Sequence, residues 1–336
     1  MALEPIEPTT GVELYLADKE RELSEATITS HKYRLGHFVR WCDKEDITNL
    51  NELTGRNLHE YRQWRRNEGD LSPISEKTQM DTVRVFIRWL ESIDGVEQDL
   101  HTKVRSPTLD DEERTRDVII SKERADRALD YLGKYQYASR EHVVFSLLWH
   151  TMMRVGGMHA LDVDDFNEEE QFLEVRHRPE SGTPIKNGKR GERLVALSDE
   201  ICTILSDWIA DCRIETTDEY GREPLLSSRQ GRVHRSTIRR DCYRFTRPCK
   251  YTDECPHDRE ISDCPGTDFD TPYECPSSVS PHAFRKGSLT HALNADVPKK
   301  VLSDRANLGE DVLDTYYDKR SEAERMEQRR KYLEDL

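Results

Sequence analysis

No long hydrophobic run occurs in these 336 residues. The longest apolar stretch, Val143 to Trp149, is far short of the roughly 20 residues a membrane-spanning helix needs. The N-terminus, Met1-Ala2-Leu3-Glu4-Pro5, has neither a basic patch nor an apolar region of the kind that directs secretion, so a soluble, cytoplasmic protein is expected. No internal repeat is visible either. An excess of positive charge is also lacking: the formal net charge is −15, whereas nucleic-acid binders usually carry a basic footprint. Lysine is scarce beside arginine, 15 against 36. Acid in excess with arginine over lysine resembles the proteome of a salt-accumulating halophile, where carboxylates keep surfaces hydrated once screening has removed longer-range repulsion.

What is present suffices for two domains at about 150 residues each. Residues 10–100 read as an N-terminal helical unit. Val12, Leu14, Tyr15 and Leu16 open a first amphipathic helix, and Leu35, Phe38, Val39 and Trp41 recur at helical spacing in a second that begins near Thr27. Leu58, Tyr61 and Trp64 mark a third helix; after a break at Gly69 to Pro73, Met80, Val83, Phe86, Ile87 and Leu90 mark a fourth. Arg62, Arg65 and Arg66 on the third, and Lys77, Arg84 and Arg88 on the fourth, read equally as a solvated surface or a phosphate-contacting face. Residues 101–117 lack apolar periodicity and contain Pro107, the signature of a linker. A second domain follows over 118–336. Helices are expected at Ser121 to Leu132, Ser139 to Met153 and Ser198 to Cys212, and from about His282 to the end. Phe172 to Arg176 and Glu192 to Leu197 read as short strands flanking a turn-rich loop with Lys186, Lys189 and Arg190.

The chemistry-bearing residues cluster late. Ser280-Pro281-His282-Ala283-Phe284-Arg285-Lys286-Gly287 puts an imidazole close to a guanidinium at the start of a helix, and Tyr316-Tyr317 follows about 30 residues on. Upstream, Arg154 sits in Trp149-His150-Thr151-Met152-Met153-Arg154-Val155-Gly156-Gly157. Two arginines, a histidine and a tyrosine are what cleavage of a phosphodiester without a metal requires. The arginines neutralise the non-bridging oxygens, the histidine moves a proton and the phenol attacks phosphorus.

These boxes resemble those of the tyrosine recombinases, or phage integrase family, and in composition the haloarchaeal versions. Thr151, Arg154, Val155, Leu161 and Asp165 match the first signature box; His282 and Arg285 with Leu289-Thr290-His291-Ala292-Leu293 match the second; Asp304-Arg305-Ala306-Asn307 to Tyr317 matches the terminal segment. The resemblance implies a fold that is mainly α with a small β-sheet: a helical core-binding domain followed by an α+β catalytic domain. It implies a site-specific recombinase acting on double-stranded DNA as a dimer to tetramer, with no cofactor for catalysis. By the same resemblance Arg154 and Arg285 clamp the scissile phosphate, His282 assists proton transfer, and Lys186 protonates the leaving 5′ oxygen, with Lys189 as competitor. Tyr317 becomes the nucleophile, giving a 3′-phosphotyrosyl link. Nine-residue spacing from the usual histidine points to Tyr316, whereas the Arg-Ala-Asn versions of the segment point, more strongly, to Tyr317. Departures exist: Lys286 stands where histidine is frequent, Gly157 where glutamate is frequent, and Ala306-Asn307 replaces the usual Gly-His. Asn307 can donate to a phosphate oxygen but cannot carry charge or shuttle a proton. The substitutions keep open a second reading, a recombinase-like regulator that binds DNA without cutting it.

Cysteines concentrate in an insert at about 247–277. Cys249, Cys255, Cys264 and Cys275, with His257 among them, are a candidate zinc-ligand set, since clustered cysteines in a cytoplasmic protein favour metal over disulfide. Their spacing matches no standard zinc finger, so disulfides or free thiols stay open, as does a zinc-organised interaction module. The insert ends shortly before Ser280 and is expected to brace the loop that delivers His282 and Arg285.

Overall fold

The computed structural model describes residues 3–110, 118–318, 326–327 and 330. The chain divides into two compact units, Met1–Arg116 and Asp117–Leu336. It is mainly helical with small sheets, as expected.

The first unit contains α1 (Pro8–Lys19), α2 (Glu25–Lys44), α3 (Gly55–Gly69) and α4 (Pro73–Ser92). Each boundary has a local cause. Pro8 and Pro73 occupy first-turn positions where a missing N–H costs nothing. The Ser24 side chain accepts from the Thr27 N–H, and Thr54 with Asn57 forms a reciprocal cap on α3. Asp70 adopts the left-handed conformation that stops α3. Inside, the Phe38 and Tyr61 rings meet edge to face at 5.2 Å, and Tyr15 meets Phe86 at 5.4 Å. Leu35, Trp41, Ile87 and Leu90 complete this core.

Four arginines of α3 and α4, and Lys77, have partners within this unit. Arg62 and Arg66 both reach the buried carboxylate of Glu76, at 2.5 and 2.9 Å. Arg65 is buried and donates to the Gln79 side chain at 2.9 Å. Lys77 and Arg84 share Asp81, and Arg84 also donates to the Val104 carbonyl at 2.7 Å. Arg65 is thus buried in the unit, whereas Arg66, Lys77 and Arg84 keep their carboxylate partners at a surface that remains in part open to solvent. Arg88 is exposed. Leu100 and Val104, directly after α4, are buried in this same core. Residues 111–117 of the expected linker lie outside the described residues.

The second unit opens with α5 (Lys122–Tyr135), α6 (Arg140–Thr151) and α7 (Val155–Ala160). Helix α6 buries Val143, Val144, Phe145, Leu147 and Leu148, so it is apolar nearly all round and runs through the core. Met152, at φ 55°, then turns the chain so that Arg154 caps α7. Strands β1 (Phe166–Asn167), β2 (Phe172–Val175) and β3 (Arg193–Ala196) form an antiparallel sheet in that order, with Leu173 opposite Val195. Next come α8 (Asp199–Asp207), prolonged by a π-turn Trp208–Cys212, and the two-residue strands β4 (Ser227–Ser228) and β5 (Gly231–Arg232). Helix α9 (Arg235–Phe245) was not anticipated; it buries Ile238, Cys242 and Phe245.

The cysteine-rich insert consists of short turns between α9 and α10 (Pro281–Asn294). Helix α10 lies against the Ile120 backbone. Gly287 permits this approach, since a Cβ there would fall on the Ile120 carbonyl oxygen. Helices α11 (Lys299–Ala306) and α12 (Glu310–Tyr316) follow, packed over Leu289, Leu293, Leu302 and Leu313. Most of the expected helical stretch beyond Asp318 lies outside the described residues.

Candidate active site

Arg285 lies in the second turn of α10 and is 1% exposed. Its Nη1 donates to the Met152 carbonyl at 2.5 Å, while Nε and Nη2 have no hydrogen-bond partner. A buried guanidinium with idle donors is costly. Burial pushes its pKa down to about 10, the positive Arg154 adds to the shift, and Tyr317 opposes it both by charge and through a side-chain hydrogen bond. The group is still charged at neutral pH.

Arg154 stands near enough for its charge to act on Arg285. As the cap of α7 it is half-buried, and its Nη1 donates to the Asn307 carbonyl at 2.8 Å. Burial lowers its pKa, and Tyr317 again opposes the shift. Tyr317 ends α12, is 6% exposed, and stands close enough to interact electrostatically with both arginines. Tyr316 is 36% exposed. Successive helical positions point about 100° apart, so the inward place falls to one tyrosine alone.

His282, on the first turn of α10, is exposed, although the surrounding protein desolvates part of its ring. Partial burial, followed by the positive charges of Arg285, Lys286 and Arg154, holds its pKa below the ordinary histidine value, which favours the neutral ring that can take a proton. Lys286 beside it is buried. Lys186 is exposed on the loop between β2 and β3, and its backbone carbonyl accepts from Asn307 Nδ2 at 3.2 Å. Lys189 is likewise exposed, one turn further along the loop.

Two further arginines lie in the same region: Arg193, which had no place in the sequence constellation, and Arg305 of the terminal segment, to which no role was given. Arg193 donates from Nε to the Arg305 carbonyl at 2.8 Å and from Nη1 to the Gly191 carbonyl at 3.0 Å. Its pKa is pushed down to about 10, chiefly by burial and then by Arg154 and Arg305. Arg305 donates to the carbonyls of His150 at 2.7 Å and Ala196 at 2.8 Å, which staples α11 to the end of α6 and to β3. In the sequence Arg193 is an ordinary strand position, and nothing local distinguishes it.

The four insert cysteines are unpaired and line one narrow cavity together with His257. As the side chains are placed, no group of three or more His, Cys, Asp or Glu among the described residues is arranged to hold a metal ion. The His257 ring instead bonds Ser277 Oγ at 2.8 Å. Arg124 of α5 clasps both stems of the insert, donating to the carbonyls of Thr246 at 2.9 Å and Ser277 at 2.6 Å.

The sequence profile of the phage integrase family matches residues 119–308, and the profile of the phage integrase N-terminal SAM-like domain matches residues 13–92. Tyrosine recombinase XerD of Oceanobacillus iheyensis is 23% identical over 210 residues, covering 62% of this chain and 65% of the relative; the match thus spans less than two thirds of that protein's length. Among solved structures, the Tn1549 transposon integrase in complex with transposon right end DNA is 15% identical, covers 97% of this chain and 100% of its own, and superposes with a TM-score of 0.68. A lambda integrase dimer bound to a COC′ core site is 13% identical over 95% of this chain and 79% of its own, with a TM-score of 0.65. At such identities these two structures speak for the fold alone.

Proposed function

Since the chain belongs to the phage integrase family, we propose that it is a site-specific DNA recombinase that cuts and rejoins double-stranded DNA through a 3′-phosphotyrosyl intermediate. The observation that carries this reading is the buried Arg285, with Nε and Nη2 unsatisfied, beside Arg154 and an inward-facing Tyr317. A phosphodiester placed there meets both guanidinium forks, which match its non-bridging oxygens. The Tyr317 oxygen attacks phosphorus as its proton passes to neutral His282. The bond from phosphorus to the 5′ oxygen breaks, and Lys186 supplies that oxygen with a proton. Rejoining is the reverse with a different 5′ hydroxyl, so bond energy is kept in the phosphotyrosine and no cofactor is consumed. Guanidinium groups provide the charge stabilisation that a metal gives in other phosphoryl-transfer enzymes. The partners are duplex DNA and further copies of this chain, two to four on paired sites in the cytoplasm. Trapping on a nicked DNA library tests the proposal, because loss of a short 5′ fragment prevents religation and leaves a denaturant-resistant adduct. DNA binding with no adduct at any site would instead mark a binding-only regulator.

The insert is assigned a structural zinc held by Cys249, Cys255, Cys264 and Cys275, with His257 as reserve ligand. The support is chemical: four unpaired thiols face one cavity, and nearby Cys255, Cys264 and Cys275 help raise the Cys249 thiol pKa, after burial, a repulsion that a divalent cation would reverse. Protein purified without chelator should carry about one zinc per chain, and chelation should lower its melting temperature. Metal content far below one equivalent would leave the thiols as simple cavity lining.

The charge balance supports a working environment of concentrated salt. Ordinary DNA binding weakens steeply with salt, with a slope of about −0.9 per neutralised phosphate, through counterion release. In molar salt that gain is largely absent, and an acidic surface takes up cations as it nears DNA. Specific affinity titrated from low to molar potassium chloride should therefore fall shallowly or rise, with firmer folding at high salt. A steep monotonic loss together with full stability in dilute buffer would remove the halophile reading and leave the catalytic assignment intact.

A further inference from the structure

We propose that Asn307 is a positioning residue, the latch that seats the Lys186 loop in the site, and that it acts on catalysis through Lys186 and not through the phosphate. The inference rests on the reading of Lys186 as general acid. Both ends of the Asn307 amide are engaged by the loop: Nδ2 donates to the Lys186 carbonyl at 3.2 Å, and Oδ1 accepts from Asn187 Nδ2 at 3.1 Å. The fit depends on Gly191, where a Cβ would stand 2.6 Å from Asn307 Nδ2 and nearer still to the Lys186 carbonyl oxygen. Asn307 sits at φ 51° as the C-cap of α11, a left-handed conformation that asparagine tolerates. From there its own carbonyl takes the Arg154 Nη1 hydrogen bond. One residue thus joins the phosphate-facing arginine to the loop bearing the proposed acid, 121 residues away in sequence.

Arg193 secures the other end of that loop through the Gly191 carbonyl and, from the same guanidinium, the Arg305 carbonyl on α11. The exposed Lys186 side chain therefore springs from a backbone held at Lys186 by the cap of α11 and at Gly191 by Arg193 of β3, which is itself tied to α11. A long lysine on a loop otherwise loses its aim to rotamer and backbone freedom.

The test separates a positioning role from direct contact with the phosphate. DNA carrying sulfur in place of the bridging 5′ oxygen departs as a thiolate, whose conjugate thiol has a pKa of about 8.5, so no general acid is needed. Lys186→Ala should slow cleavage of ordinary DNA by roughly 100-fold or more, in the usual range for a lost proton donor, and the sulfur substrate should restore most of it. Asn307→Gly suits the left-handed backbone and removes only the amide. It should slow ordinary DNA by about tenfold or more, regain near-wild-type rates on the sulfur substrate, and add nothing to Lys186→Ala in the double variant. Rescue of Lys186→Ala but not of Asn307→Gly, with multiplied defects in the double variant, would make Asn307 a phosphate donor and overturn the latch. Failure of sulfur to rescue Lys186→Ala would overturn the Lys186 assignment and the latch with it. Adduct formation would still report separately on the recombinase reading.

Discussion

Tyr317→Phe is expected to abolish the covalent protein–DNA adduct while leaving DNA affinity within a few-fold of wild type. The ring is 6% exposed and packs with Met152, Leu289, Leu293, Leu302 and Leu313, so phenylalanine keeps the apolar contacts and loses only the oxygen. Removing a nucleophile is among the largest single-residue effects in catalysis, on the order of 10⁴-fold or more. Tyr316→Phe should retain most activity, because its ring is turned toward solvent. The comparison needs adduct yield on a nicked substrate and binding on intact duplex, measured on the same preparations. A reversed outcome would transfer the nucleophile to Tyr316. If neither substitution mattered, phosphotyrosyl chemistry would be ruled out for this chain.

What the sequence made legible follows from how local each signal is. Pro281, His282, Arg285 and Gly287 lie within two turns of one helix, so their spacing alone foretold a shared helix start. The caps Ser121 and Ser139, and the apolar run of α6, are readable from neighbours within four positions. Helix α9 is illegible in the sequence because Arg235, Arg239, Arg240 and Arg244 surround Ile238, Cys242 and Phe245, drowning an apolar stripe in charge. The destinations of Arg62, Arg65 and Arg66 depend on how α4 lies across α3, which no window of sequence contains. Arg193 is a stronger case of the same limit. Its dehydration and its two carbonyl partners arise only when α11 docks on β3. Asn307 was legible as a substitution in a recognisable segment, yet its engagement of the Lys186 loop belongs to the tertiary structure.

Arg285→Ala should slow cleavage by at least about 100-fold, the scale seen when one preorganised oxyanion donor is lost, and should do so without unfolding the protein. The two halves of this prediction have one origin. In the free protein Arg285 is a desolvated cation with Nε and Nη2 unsatisfied, so its removal relieves a standing cost as it opens a cavity and gives up the bond to the Met152 carbonyl. These terms oppose each other, and the melting temperature should move by only a few degrees. In the complex the same donors meet phosphate oxygens whose charge grows toward the transition state, and there nothing replaces them. Arg285→Lys should recover only part of the rate, because an ammonium is a point charge and cannot hold two oxygens in one plane. Arg154→Ala should lose rate on a similar scale, and Arg154→Lys should likewise stay impaired. Single-turnover cleavage rates beside thermal melts decide the matter. Full activity in either lysine variant would contradict bidentate phosphate binding. A rate loss in Arg285→Ala that came only with collapse of the melting transition would make the residue a structural strut.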